Sequence, residues 1–134
     1  MKRLLSLFLC LAMISVLWGC GGDIKAVKTR DVESDIYSVE DIEAAIKVIK
    51  TEFDRNWDGC KLTEIYYAGD EISLDHQDWA DRNNADEVIV LLSSFDVDGS
   101  GGDGSLNPNS TYNKWNWILV RDTGGQWKHV DHGY

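Results

Sequence analysis

The stretch 87–97 places the strongest limit on the fold of this chain, because its middle, Val-Ile-Val-Leu-Leu, is apolar at every position. A β-strand points successive side chains to opposite faces, so this strand needs apolar cover on both of them. The stretch therefore predicts a central strand, or a strand whose second face is covered by another element.

A helical pattern lies upstream of this strand. Ser38 and Asp41 stand at the spacing of a capping box, with Ser38 as the N-cap. Behind them, apolar residues recur at intervals of three and four and form one face of a helix. These residues are Val39, Ile42, Ala45, Ile46, Ile49 and Phe53. The sequence predicts an amphipathic helix over 39–54 that ends in the turn-forming residues 56–59.

The other elements are predicted from β-branched and aromatic runs separated by turns. Residues 60–68 and 112–121 are predicted strands, and 126–134 pairs back across a turn at 122–125 as a hairpin. A short helix is predicted around 75–83, and a Gly/Asp/Asn/Ser loop over 98–111. The order of elements predicts a single α+β domain over 38–134, with one long helix packed on an antiparallel sheet of about four strands.

This layout resembles the cystatin-like and NTF2-like superfamily, in which a curved sheet wraps a long helix. The end of the chain, from Trp127 to Tyr134, is similar to the last strand of many such domains. The stretches 93–96, 107–112 and 115–121 look like a family of small Gram-positive lipoproteins. The domain shared by that family has no assigned function, so the resemblance implies a fold and leaves the chemistry open.

The N-terminus has the pattern of an export signal. Lys2 and Arg3 precede an apolar run over 4–18, and Gly19 is a small residue just before a cysteine. The run has about 15 residues, fewer than the roughly 20 that cross a bilayer. The pattern therefore favours a cleaved signal over a retained transmembrane helix.

The box Leu17-Trp18-Gly19-Cys20 resembles the lipobox of bacterial lipoproteins. In that family the cysteine thiol receives a diacylglyceryl group and a signal peptidase cuts before it; an ordinary signal peptide is the alternative. The resemblance implies that residues 1–19 are removed and that Cys20 anchors the protein to the outside of the cytoplasmic membrane. Residues 20–37 are then expected to be a flexible tether, whose last two residues are the best suited to dock on the domain.

Charge and cysteine content limit the function further. The chain has 13 Lys+Arg and 23 Asp+Glu, and loss of Lys2 and Arg3 with the signal leaves 11 minus 23, a net charge of −12. So acidic a protein is not expected to bind nucleic acid. Cys60 would be the only thiol left beside the lipidated Cys20, so no disulfide can form within the domain. It is expected to be a small buried hydrophobe, although a reactive thiol is the alternative.

Three aspartates in the predicted loop, Asp96, Asp98 and Asp103, suggest a cation site. Asp96 and Asp98 match the first and third positions of an EF-hand loop, but position twelve is Asn107 where a bidentate glutamate is needed. The sequence therefore predicts at most calcium binding in the millimolar range typical of extracellular modules. The alternative is a solvated loop in which Gly and Asp serve turn geometry.

Two further groups are candidate sites. His129, Asp131 and His132 lie close together near the end of the chain, and Asp131 with either histidine is a candidate acid/base pair at a cavity mouth. On a regular strand His129 and Asp131 would share one face and His132 would lie on the other. The alternative is a hydrogen-bonded strand end. Aromatic side chains on neighbouring strands suit either a ligand pocket or the core of a small domain. They are Tyr66, Tyr67, Trp115 and Trp117.

The sequence contains no Gly-x-Ser-x-Gly motif and no P-loop. The Gly-x-Gly-x-x-Gly spacing at 99–104 lies in the predicted loop and opens no predicted helix, so it is not a dinucleotide fingerprint. It favours a membrane-anchored extracytoplasmic lipoprotein that presents a small binding domain without a cofactor. Its expected partners are the bilayer, through Cys20, and a protein or small-molecule ligand. The alternative is a small enzyme that uses an NTF2-like cavity with Asp131 and His132 at its mouth.

Overall fold

The structure is a computed structural model that describes residues 21–134. The predicted signal peptide and the lipidated Cys20 lie outside the described residues. The strands of the single sheet are β1 (Cys60–Tyr67), β2 (Glu87–Val97), β3 (Thr111–Arg121) and β4 (Lys128–Gly133). They lie in the order β1-β2-β3-β4, and every neighbouring pair is antiparallel. The predicted α+β class with a four-stranded antiparallel sheet is confirmed.

An 18-residue helix, α1 (Val39–Asn56), precedes the sheet in the chain. Its N-terminus carries the capping box: the Ser38 side chain accepts from the backbone of Asp41, and the Asp41 carboxylate accepts from the backbone of Ser38. The buried face of α1 holds Ala45, Ile46, Ile49 and Phe53. Val39 was predicted on this face but is 66% exposed; it is the first residue of α1 and takes no part in the hydrophobic core.

Both faces of β2 are covered, as its composition requires. On one face, Ile89, Leu91 and Phe95 join the main core together with α1 and Trp117. On the other face, Val88 and Val90 form a second cluster with Ala80, Ile118 and Val120. β2 is therefore a central strand between two apolar layers.

The second layer comes from two short helices, α2 (Asp70–Asp75) and α3 (Gln77–Arg82), where one helix over 75–83 was predicted. The Ser73 side chain is buried and accepts a hydrogen bond from the Val90 backbone at 3.1 Å, which ties α2 to β2. The two helices meet at His76, whose ring nitrogen lies 2.7 Å from the Ile72 carbonyl. The helical region therefore begins at Asp70, five residues before the predicted start, and the bond between Ser73 and Val90 holds this extra turn against the sheet.

Residues 21–37, expected to be a flexible tether, run along the free edge of β1. Isolated parallel bridges join Asp23 to Lys61 and Lys28 to Glu64. Asp23 accepts from the Leu62 amide at 2.9 Å and donates to the Cys60 carbonyl at 2.9 Å. An edge strand leaves a row of backbone N–H and C=O groups without partners. The N-terminal segment provides hydrogen-bond partners for some of these groups on β1.

The segment is held at its far end as well. Asp70 accepts hydrogen bonds from the Ser34 hydroxyl at 2.6 Å, the Asp35 amide at 2.8 Å and the Tyr67 hydroxyl at 2.7 Å. These bonds, that from Ser34 foremost, lower the pKa of the Asp70 carboxyl. Tyr37 is buried and donates to the Val88 carbonyl at 2.6 Å, whereas Ile36 stays exposed.

Candidate functional site

A pocket of about 460 Å³ lies where the C-terminal end of α1, the ends of β3 and β4, and the loop after β2 converge. We call it the Trp57 pocket. The residues that define it are Glu52, Trp57, Asp58, Asp103, Trp115 and His132. Of these six, Trp115, His132 and Asp103 were singled out from the sequence, Asp103 as part of a candidate cation site.

Trp57 is held in place by the end of the helix. It is the C-cap of α1, and its backbone N–H donates to the Phe53 carbonyl at 3.2 Å. Its indole stacks on Phe53 with ring centroids 5.5 Å apart and planes 8° from parallel. The same indole meets Trp115 at 6.0 Å and Trp117 at 5.0 Å. Aromatic packing thus fixes the wall of the pocket, although the sequence marked this residue only as part of a helix-ending turn.

His132 and His129 lie on the same face of the sheet, contrary to the expectation for a regular strand. β4 pairs Leu119 with His129 but Ile118 with Asp131, so Val130 is an extra residue in a β-bulge. The bulge reverses the alternation between positions 129 and 131. Both histidines therefore lie on the face of the sheet that carries Trp117. The ring centroid of His129 is 5.4 Å from that of Trp117, and the ring centroid of His132 is 5.3 Å from it.

Asp131 is paired with Ile118, which belongs to the second cluster on the other face of the sheet. The sheet therefore separates Asp131 from the Trp57 pocket and from His132. The register does not favour the predicted pairing of Asp131 with His132 at a cavity mouth, and the pair that the fold brings together is His129 with His132.

The two imidazoles form a hydrogen-bonded pair. His132 Nδ1 lies 3.3 Å from His129 Nε2, which is also 3.1 Å from the Asp131 carbonyl oxygen. Because a carbonyl only accepts, His129 Nε2 carries the proton and His132 Nδ1 is an acceptor. Burial, together with the neighbouring His132, lowers the pKa of His129. His129 is therefore the inner member of the pair, and His132 is the outer member at the pocket.

The four predicted aromatic ligand residues divide between core and surface. Tyr67 and Trp117 are fully buried; the Trp117 indole donates to the Ser93 hydroxyl at 2.7 Å. Tyr66 lies on the other side of β1 under the guanidinium of Arg30, 4.0 Å from the ring centroid. Only Trp115 lines the Trp57 pocket. Its indole nitrogen is buried and has no hydrogen-bond partner.

The three loop aspartates are not gathered into one site. Asp98 accepts from the Ser100 amide at 2.8 Å, Asp103 from the Ser105 amide at 2.9 Å, and Asp96 from the Thr111 hydroxyl at 2.7 Å. Residues 21–134 contain no group of three or more His, Cys, Asp or Glu side chains placed to hold a metal ion. The geometry therefore favours the turn-forming interpretation of this loop.

Cys60 is 4% exposed and lies in the main core. Burial foremost, and then the carboxylates of Asp98, Asp103 and Asp58, raises the pKa of its thiol to about 11. A thiol held neutral at physiological pH is a poor nucleophile, so Cys60 has the environment of a packing residue.

Two other depressions border the docked N-terminal segment, with volumes of about 670 and 760 Å³. One is lined by residues 21–25 together with Asp54, the start of β1 and the end of β2. The other lies between residues 29–35 and the exposed side of α1. Of the three, the Trp57 pocket is the one that has tryptophan side chains in its wall.

Comparison with known proteins finds no matching family model, no matching curated protein and no matching solved structure. Within residues 21–134, no helix has the length and apolar character needed to cross a membrane.

Proposed function

We propose that this protein is an extracytoplasmic lipoprotein, anchored through Cys20, whose single domain binds a small ligand in the Trp57 pocket. The observation that carries the binding function is the pocket itself: an open cavity of about 460 Å³ with an aromatic wall and a few polar groups. Ligand sites in proteins have this size and this composition. We further propose that the helix-on-sheet arrangement is a cystatin-like or NTF2-like roll, in which such a cavity lies between helix and sheet.

The docked N-terminal segment bears on how the anchor would work. Gly21 follows Cys20 directly, and Gly22 donates to the Phe53 carbonyl at 3.0 Å at the end of α1. A lipid on Cys20 would therefore be joined to the body of the domain without a long linker. The domain would sit at the bilayer surface, with the end of α1 that carries Trp57 near the anchor.

The anchor is tested by labelling cells that express the full chain with radioactive palmitate. We expect label in the wild type and none in Cys20→Ser, because the thiol is the acylated group in the proposal. Cys10→Ser, within the predicted signal, is the matched control and should keep the label. Equal labelling of wild type and Cys20→Ser would refute the anchor.

The binding function is tested with a small-molecule library and the full chain in detergent, by thermal shift and ligand-detected NMR. Trp115→Leu should abolish the binding of any hit, because it removes one aromatic wall of the pocket. Trp79→Leu is the control, since Trp79 packs on the opposite face of the sheet. Hits that bind both variants equally well would place binding elsewhere and count against the pocket.

A second candidate function is a small enzyme. The specific observation in its favour is the His129–His132 pair at 3.3 Å, one member of which reaches the pocket. Neutral imidazoles can act as general bases, and the lowered pKa of His129 favours that form. The two functions differ in outcome: a bound ligand recovered unchanged supports binding alone, and a ligand converted by wild type but not by His132→Ala supports catalysis.

A further inference from the structure

We propose that the Trp57 pocket takes a small organic cation of the quaternary ammonium type. This inference rests on the proposed binding function and names its ligand class. It is carried by two features of the same cavity, the charge of its wall and the aromatic surface that the wall presents.

The charged side chains that line the pocket are acidic. Glu52 is contributed by the last turns of α1, Asp58 by the turn that follows, and Asp103 by the loop after β2. No lysine or arginine is among the lining residues. An anion in the cavity would meet three carboxylates and neither lysine nor arginine, whereas a cation would be attracted by all three carboxylates.

The aromatic wall adds a second attraction for the same kind of ligand. The rings of Trp57, Trp115 and His132 are in mutual contact, with centroids 5.1 to 6.0 Å apart. Both indoles are only partly buried and border the cavity. Indole is the best aromatic partner for a cation, and the recognition of quaternary ammonium ligands is an established function of cation–π interactions in proteins.

The two features together select the ligand class. A carboxylate alone would hold a metal ion or a primary amine equally well, but a metal ion needs several oxygen ligands at short distance. The described residues form no such group of three side chains. A methylated ammonium group is bulky and weakly hydrated, so it can lie against indole faces while the carboxylates balance its charge from the rim.

The test uses the full chain in detergent and calorimetric titration with choline. The matched probe is 3,3-dimethyl-1-butanol, which has the same shape and no charge. We expect choline to bind at least about tenfold more tightly than the alcohol, a difference of about 1.4 kcal/mol. The double variant Glu52→Gln, Asp58→Asn should lose about the same factor, which again corresponds to about 1.4 kcal/mol.

Asp75→Asn serves as the control for loss of negative charge, because Asp75 is an exposed residue at the end of α2 and does not line the pocket. It should bind choline as the wild type does. Thermal melting of every variant shows that the fold is retained, and indole N–H signals in NMR report whether Trp57 and Trp115 respond to choline.

The outcomes separate the two proposals. Equal affinity for choline and the alcohol, or undiminished choline affinity in the double variant, would overturn the cation inference and leave a pocket for a neutral ligand. Binding of acetate in place of choline would do the same. Failure of choline, the alcohol and acetate all to perturb the pocket indoles would count against both this inference and the binding function.

Discussion

At the scale of single residues, Gly22 shows how closely the N-terminal segment approaches the helix. A Cβ at this position would lie 2.5 Å from the Phe53 carbonyl oxygen and 2.6 Å from its ring carbon Cδ1. Gly21 is as confined, since a Cβ there would lie 1.9 Å from the Asp54 carbonyl oxygen. Both glycines, which suggest flexibility in the sequence, are sites of tight packing.

Gly22→Ala should therefore release the start of the segment from α1 and β1, at a cost of about 1–3 kcal/mol typical of overpacking. Hydrogen exchange measures it directly: the Leu62 amide, which donates to Asp23, should exchange faster. Gly99→Ala is the matched control, because a Cβ there would meet nothing closer than 3.7 Å. Unchanged exchange at Leu62 would show that the segment is held by its later contacts alone.

His129 is the second residue with a distinctive environment, and it predicts a pH dependence. Its pKa in the folded protein lies below the ordinary 6.5, chiefly because its partly buried position desolvates the charged form. The unfolded chain then binds the proton more readily, so stability is greatest above about pH 6.5 and falls as the pH is lowered toward the folded pKa. The carboxyl groups of Asp41 and Asp70 have pKa values below their ordinary 3.8. They therefore change the stability only at a more acidic pH, and the change near pH 6.5 is assigned to histidine.

We expect His129→Gln to flatten the dependence of the melting temperature on pH between about 5.5 and 7.5. His76→Gln, in the joint between α2 and α3, controls for the loss of a histidine as such. The measurement is differential scanning calorimetry of the full chain across that range. A slope in His129→Gln as steep as that of the wild type would contradict the assignment.

At the scale of elements, α1 is the one whose burial matters most, because it covers the main core on one face of the sheet. Ile49 is fully buried in that core, whereas Val39, on the same helix, is 66% exposed. Ile49→Ala should lower the free energy of unfolding by about 2–5 kcal/mol. Val39→Ala, the matched control, should change it by less than about 0.5 kcal/mol.

Urea unfolding of the full chain measures both variants. The same argument extends to Ile46, which lies one turn earlier and is 9% exposed. If Ile49→Ala and Val39→Ala had the same small effect, α1 would not pack on the sheet in solution as it does in the structure.

At the scale of the whole molecule, Arg121 joins four parts of the fold. Its guanidinium bonds the Asp41 carboxylate on α1 at 2.9 Å and the Glu87 carboxylate on β2 at 2.6 Å. It also lies over the Trp127 ring, 4.2 Å from the centroid. The side chain is only 11% exposed, so these contacts are largely shielded from water.

Arg121→Gln should lower the free energy of unfolding by about 2–4 kcal/mol, since it leaves two carboxylates without their shared partner. Arg82→Gln is the control: Arg82 pairs with Asp78 at 2.9 Å on an exposed helix surface, where such pairs contribute about 0.3–0.5 kcal/mol. Chemical denaturation of both variants, in low and high salt, measures the difference. Equal effects would mean that Arg121 adds no more than a surface ion pair.

The sequence by itself determined the parts of the fold whose signals are local. The capping box and apolar spacing placed α1, and the unbroken apolar run placed β2 in the centre of the sheet. These signals suffice because a helix satisfies its hydrogen bonds within one segment and a covered strand needs apolar residues throughout.

Only the tertiary structure decided where the N-terminal segment lies and which residues form the Trp57 pocket. The segment is held by backbone groups along the edge of β1, and backbone bonding leaves no mark in side-chain composition. The bulge at Val130 adds one residue to β4, and because side chains alternate with a period of two, that residue moves His129 to the face of His132. Trp57, Trp115 and Asp103 meet through contacts between residues distant in sequence, which no spacing along the chain could reveal.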